Sequence, residues 1–119
     1  CAPFVFLGAG WNDREGQGQA VWRWSTSTSE LYVVNPEPEP RTLSLALLAE
    51  GRTAGQVLTI RREGEPVARL ALGRALRRYH IALLAPPGQS RLELITPAVR
   101  DHASNREVGL AVRNVEVTR

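Results

Sequence analysis

Alternation with a period of two constrains this chain more than any other feature. Leu43, Leu45 and Leu47 alternate with Thr42, Ser44 and Ala46. Successive side chains of a β-strand point to opposite faces, so this pattern gives one apolar face and one mixed face. The pattern recurs from Val57 to Arg62, with Leu58 and Ile60 on one side and Thr59 and Arg61 on the other. Ala68, Leu70 and Leu72 repeat it, as do the trio Tyr79, Ile81 and Leu83 and the pair Leu92 and Leu94. Val108, Leu110 and Val112 lead to a final strand containing Val115 and Val117. Helical periodicity is nearly absent; only Gly73 to Arg78 has room for a single helical turn.

The breaks between these runs carry turn chemistry. Asn35-Pro36-Glu37-Pro38-Glu39-Pro40 holds three prolines. Each removes a backbone donor, so the segment is a stiff extended loop and not a central strand. Ala85-Pro86-Pro87-Gly88-Gln89 is a second break, and Ser25 to Ser29 a polar turn. Arg62-Glu63-Gly64-Glu65 reads as a hairpin turn with Gly64 at positive φ. With Pro3–Leu7, Ala20–Trp24, Glu30–Val34 and Thr42–Leu48, the runs predict about eight or nine strands spaced by turns. The expected fold is all-β, a two-sheet antiparallel sandwich of jelly-roll type. Its expected core is Leu43, Leu45, Leu47, Leu58, Ile60, Leu70, Ile81 and Leu92.

A length of 119 residues suits one domain, 1–119, and 43% apolar residues suffice for a core. All fifteen basic residues are Arg, against twelve acidic ones, for a net charge of +3. The pI of about 10 follows from the high pKa of Arg and not from a large excess of charge. The arginines are scattered, which excludes the clustered basic face of a nucleic-acid-binding domain. No apolar run approaches the roughly 18 residues of a membrane span. The single cysteine, Cys1, excludes an intrachain disulfide and a thiolate zinc site. Cys1 has three readings: a proteolytic boundary, a small buried residue, or the lipid-bearing first residue of a mature bacterial lipoprotein.

Catalytic constellations are lacking. Asp101, His102 and Ser104 are too close in sequence to adopt triad geometry, and no Gly-x-Ser-x-Gly elbow exists. Asp13 and Glu15 sit in a Gly-rich loop and are the one carboxylate pair of note. Their oxygen-rich surroundings make them weak calcium candidates, although the loop is not an EF-hand. No other cofactor is expected, and the chain reads as a non-enzyme.

The aromatic residues are unevenly distributed. Trp11, Trp22 and Trp24 all fall within the first 24 positions. Trp22 and Trp24 share a face of a strand, and Trp11 lies in or beside a loop. Indole faces stack on the C–H faces of sugars, which makes the three glycan candidates. The competing reading buries Trp22 and Trp24 as packing residues, with Arg23 on the other face.

Gly8-Ala9-Gly10-Trp11, then Glu15, then Trp22-Arg23-Trp24-Ser25 resembles the opening of a β-sandwich domain found in extracytoplasmic parts of bacterial membrane glycosyltransferases and envelope proteins. The closing run of that family has its counterpart in Asn105-Arg106-Glu107-Val108-Gly109-Leu110-Ala111-Val112, where Asn105 replaces the usual acidic residue and Asp101 is a substitute. The resemblance implies an accessory sandwich that docks on a membrane protein or touches glycan, with no catalytic residue. A physical reading of the same motifs joins Trp11, Glu15 and Arg106 in a structural clamp, if the first and last strands lie side by side. Gly109 would then let the chain approach Trp11 or Trp24.

The leading expectation is therefore a non-catalytic bacterial domain, periplasmic or at the cell surface. It docks on a membrane or envelope protein and meets the membrane only through a tether such as Cys1. The alternative is a carbohydrate-binding module using Trp11 and neighbouring aromatics.

Overall fold

The computed structural model describes residues 2–18 and 20–119. Twelve strands run through them: β1 (Phe4–Leu7), β2 (Glu15–Gln17), β3 (Ala20–Trp24), β4 (Thr28–Asn35), β5 (Arg41–Gly51), β6 (Gln56–Arg62), β7 (Glu65–Leu72), β8 (Arg77–Ala85), β9 (Gly88–Ile95), β10 (Val99–Asp101), β11 (Arg106–Val108) and β12 (Leu110–Thr118). One five-stranded antiparallel sheet has the order β1-β4-β9-β6-β7. The other has the order β2-β3-β12-β5-β8, and β10-β11 forms a separate two-stranded ribbon. The fold is the two-sheet antiparallel sandwich that the alternation implies. The strands beyond the expected eight or nine are the three-residue elements β2, β10 and β11, too short to show a period.

Alternation sorts the long strands as the sequence indicates. Leu43, Leu45 and Leu47 of β5 point inward, as do Leu58 and Ile60 of β6 and Leu92 of β9, and all are buried. Leu70 and Ile81 pack against this cluster while remaining partly exposed, because β7 and β8 are the outer strands of their sheets. Residues of both sheets form one core, completed by Leu31, Val33, Leu94, Leu110 and Val117. Fully burying a side chain of this size stabilises by about 1.5–3 kcal/mol, so the shared core is what joins the sheets.

Val108 to Val117, which reads as two runs, divides differently. Val108 ends β11, and Leu110–Thr118 is one strand with a register shift between Val112 and Asn114. The extra residue in this bulge keeps Val112 and Val115 both directed at the core cluster despite their odd spacing. Gly73 to Arg78 contains no helix and leads directly into β8. The β6–β7 connection is the expected tight turn, with both Glu63 (φ 51°) and Gly64 (φ 80°) left-handed. The proline loop is held by Asn35, whose amide donates to the carbonyls of Glu39 and Ala85 while its Oδ1 accepts from the Glu37 amide.

The first and last strands do not lie side by side. β1 pairs with β4, whereas β12 pairs with β3 and β5, so the two meet across the sandwich.

Candidate functional site

The β3 strand sets the site. Its register aligns Arg23 with Val112 and Trp24 with Ala111. Val112 belongs to the core, so Arg23 turns into the interior edge of the sandwich and Trp22 and Trp24 turn to the outer face. This reverses the packing arrangement in which the indoles are interior and the arginine exterior. Arg23 donates to the Asn12 carbonyl at 3.4 Å.

The β10–β11 ribbon rises beside Trp24. Val99 pairs with Val108, Arg100 with Glu107 and Asp101 with Arg106. Trp24, Val99, Arg100, Asp101, His102 and Val108 line a cavity of about 410 Å3. Val99 is 46% exposed, which leaves an apolar patch at the cavity mouth.

Several contacts fix this ribbon. Arg106 Nη2 donates to Glu15 Oε2 on β2 at 3.0 Å, with the two side chains 29% and 34% exposed. Arg106 Nε donates to the Ser104 hydroxyl at 3.0 Å, and that hydroxyl donates to Asp101 Oδ2 at 2.5 Å. This last bond is the main cause holding the Asp101 carboxyl below its ordinary value, with smaller help from the Ala103 amide and the Arg106 charge. Asp101 therefore does stand near Arg106, although the hydroxyl of Ser104 mediates between them. Glu107 Oε1 accepts from the Ser27 amide at 2.7 Å, which with the Ser27 hydroxyl and the Arg100 charge lowers its pKa as well. Asn12 donates to the carbonyls of both Trp24 and Glu107, joining β3 to β11.

Gly109 lets the ribbon leave for β12. A Cβ there would come within 2.7 Å of the Ser25 hydroxyl and 2.8 Å of both the Thr26 carbonyl and Thr96 Cγ2. Its close neighbours are therefore Ser25, Thr26 and Thr96, and not Trp11 or Trp24. Ser25 is buried and bonds Leu110 in both directions, amide to carbonyl and amide to hydroxyl.

The three tryptophans do not form one platform. Trp11 packs partly against the core, and its indole N–H donates to the Glu30 carbonyl at 2.9 Å. Trp22 is the cross-strand neighbour of Glu15 on the outer face. Trp24 alone of the three lines the cavity under the ribbon. The structure thus brings Glu15 and Arg106 together, while Trp11 turns to β4. Cys1 lies outside the described residues. Asp13 is exposed, and Glu15 already faces a guanidinium. Among the described residues no group of three or more His, Cys, Asp or Glu is arranged to hold a metal ion.

Sequence reasoning missed Val99, Arg100 and Glu107, whose two short strands carry no periodic signal. It also missed Phe4 and Phe6 as outward-facing residues. Phe6 stacks on Tyr32 with centroids 5.1 Å apart, and both belong to the outer face of the first sheet.

No family model matches the chain, and no curated protein matches it. Solved structures do. A family 35 carbohydrate binding module from an environmental isolate aligns with a TM-score of 0.63 at 10% identity, covering 98% of this chain and 92% of that one. The C-terminal family 6 carbohydrate-binding module of LamC, a laminarinase of Zobellia galactanivorans, aligns at 0.61 and 8% identity, covering 98% and 99%. A carbohydrate binding module from Cellvibrio mixtus lichenase 5A, solved with cellotriose, aligns at 0.58 and 10% identity, covering 93% and 88%. At identities this low the likeness establishes the fold: over nearly its whole length the chain is similar in architecture to these β-sandwich modules.

Proposed function

We propose that this chain is a non-catalytic carbohydrate-binding domain working outside the cytoplasm, and that it holds sugar against Trp24 beneath the β10–β11 ribbon. The observation that carries the reading is the composition of that cavity. An indole wall and the exposed Val99 side chain give an apolar surface for the C–H face of a pyranose. Arg100, Asp101 and His102 supply donors and acceptors for hydroxyl groups at the rim. A few polar groups around an apolar surface fix orientation while the apolar area supplies affinity. The likeness to carbohydrate-binding modules supports the same reading.

Docking on a membrane or envelope protein, the leading expectation from sequence, is not favoured by these features. Attachment to a membrane glycosyltransferase has no support beyond the short sequence motifs. Asp101 is already engaged by Ser104, and Glu15 by Arg106, which suits a structural role better than acid–base catalysis.

A glycan array carrying plant, fungal and bacterial polysaccharides tests the proposal. The purified domain is expected to retain one class of glycan, and Trp24→Ala to weaken that retention with the fold intact. Retention unchanged in Trp24→Ala moves the site elsewhere. No retention on any polysaccharide overturns the reading.

A further inference from the structure

A larger cavity, of about 590 Å3, opens at the other end of the strands. It lies where the β4–β5, β6–β7 and β8–β9 connections meet, and its walls include Tyr32, Arg62, Glu63, Leu84, Gln89 and Arg91. We propose that it is a second saccharide site, for a neutral sugar chain, so that one domain holds two chains. The inference extends the carbohydrate-binding reading but rests on different residues.

Three independent features point to a ligand. Leu84 is 57% exposed, a large apolar side chain on the open wall of the cavity. Glu63 sits at φ 51°, a left-handed backbone that a residue other than Gly, Asn or Asp adopts at a cost. Glu63, held in that conformation, forms part of the cavity wall. The walls are also already positioned. Arg62 Nη1 donates to the Leu84 carbonyl, and Arg91 Nη1 donates to Glu30 Oε2 at 3.1 Å. Pro40 and Pro86 stiffen two of the three connections. A cavity with rigid walls loses little entropy when it is filled.

The lining chemistry selects the ligand class. Arg62 and Arg91 are offset by Glu63 in the wall and by Glu30, the ion-pair partner of Arg91. With both signs present, neither a strongly anionic nor a cationic ligand is preferred. A guanidinium, a carboxylate and the Gln89 amide are planar groups that present paired donors or acceptors to adjacent hydroxyls. Tyr32 and Leu84 offer apolar area between them. That alternation matches a pyranose, with its hydroxyl rim and C–H faces. The β9 strand, eight residues at about 3.3 Å each, runs between the two ends. A trisaccharide bound at one cavity therefore does not reach the other.

The test is a backbone amide NMR titration of the whole 15N-labelled domain with cellotriose, xylotriose, mannotriose and laminaritriose, and with trigalacturonate as the charged comparison. At least one neutral trisaccharide is expected to shift the amides of Leu84, Gln89 and Ser90 saturably. Leu84→Ala/Gln89→Ala, two exposed replacements that leave the core untouched, should weaken those shifts by about tenfold or more. Trp24→Ala should leave them in place. Shifts confined to Trp24 and the β10–β11 ribbon overturn the second site and leave the first standing. Shifts confined to the Leu84 end establish this cavity and remove the first. Tighter binding of trigalacturonate at this end overturns the neutral class, and no saturable shift with any of the five overturns the site.

Discussion

Arg106 and Glu15 stand 91 positions apart in sequence, yet their side chains meet at 3.0 Å and tie the β10–β11 ribbon to β2, the edge strand of the second sheet. Both are about one-third exposed. The contact is therefore screened by water more than a buried pair and less than a fully open one. Arg106 also donates to Ser104, so its loss frees both the ribbon edge and the turn. Arg106→Ala is expected to lower unfolding free energy by about 1–2 kcal/mol. A double-mutant cycle with Glu15→Ala should give a coupling of about 0.5–1.5 kcal/mol. Urea denaturation measures both. A coupling near zero means the ion pair contributes nothing and the backbone alone holds the ribbon.

Acid should loosen the same region. Asp101 is held below its ordinary value of 3.8 chiefly by the Ser104 hydroxyl, and Glu107 below 4.5 chiefly by the Ser27 amide. In both, the folded pKa is lower than the unfolded one. Their contribution to stability is therefore complete above the unfolded pKa and is lost as pH falls through the folded value. The expected result is no change from neutrality down to the ordinary carboxylate range, then a shift of the Ser27 and Ala103 amide resonances below it as their carboxylate acceptors are protonated. Both residues are partly exposed, so the effect is local and small. An NMR pH titration checks it. A Ser27 amide midpoint at or above 4.5 contradicts the assignment.

The β6–β7 turn offers a stability gain that separates strain from use. Glu63 and Gly64 both have positive φ, the arrangement for which Asn-Gly is the preferred pair. Glu63→Asn should raise unfolding free energy by about 0.5–1 kcal/mol in thermal or urea melts. A loss of stability would mean that the Glu63 side chain makes contacts worth more than the strain.

The strands were legible from sequence where one face is apolar and the other is not. Leu43, Leu45 and Leu47 announce their face because Thr42, Ser44 and Ala46 separate them. Phe4-Val5-Phe6-Leu7 does not, since all four are apolar; Val5 and Leu7 pack inward while Phe4 and Phe6 face out. The direction of β3 was equally hidden. Alternation puts Trp22 and Trp24 on one side and Arg23 on the other, but only the register with β12 decides which side is interior. The ribbon left almost no trace, because three-residue strands contain too little pattern and pair across a polar turn. For the same reason the cavity beside Trp24 was invisible, although Trp24 itself could be nominated from chemistry. The approach of Glu15 to Arg106 came from short motifs. The pair joins β2 to β11 and not the first strand to the last.

The central claim is that Trp24 and the ribbon beside it hold sugar. Isothermal titration of the domain with the polysaccharide retained on the array tests it most directly, against Trp24→Ala and His102→Ala. Both variants are first checked for a native melt. Base stacking on an aromatic side chain is worth about 1–3 kcal/mol by alanine substitution, and sugar stacking on an indole is taken to be similar, so Trp24→Ala should weaken binding by about tenfold to a hundredfold. His102→Ala, removing one exposed rim contact, should weaken it less. Unchanged affinity in a folded Trp24→Ala domain would contradict the account.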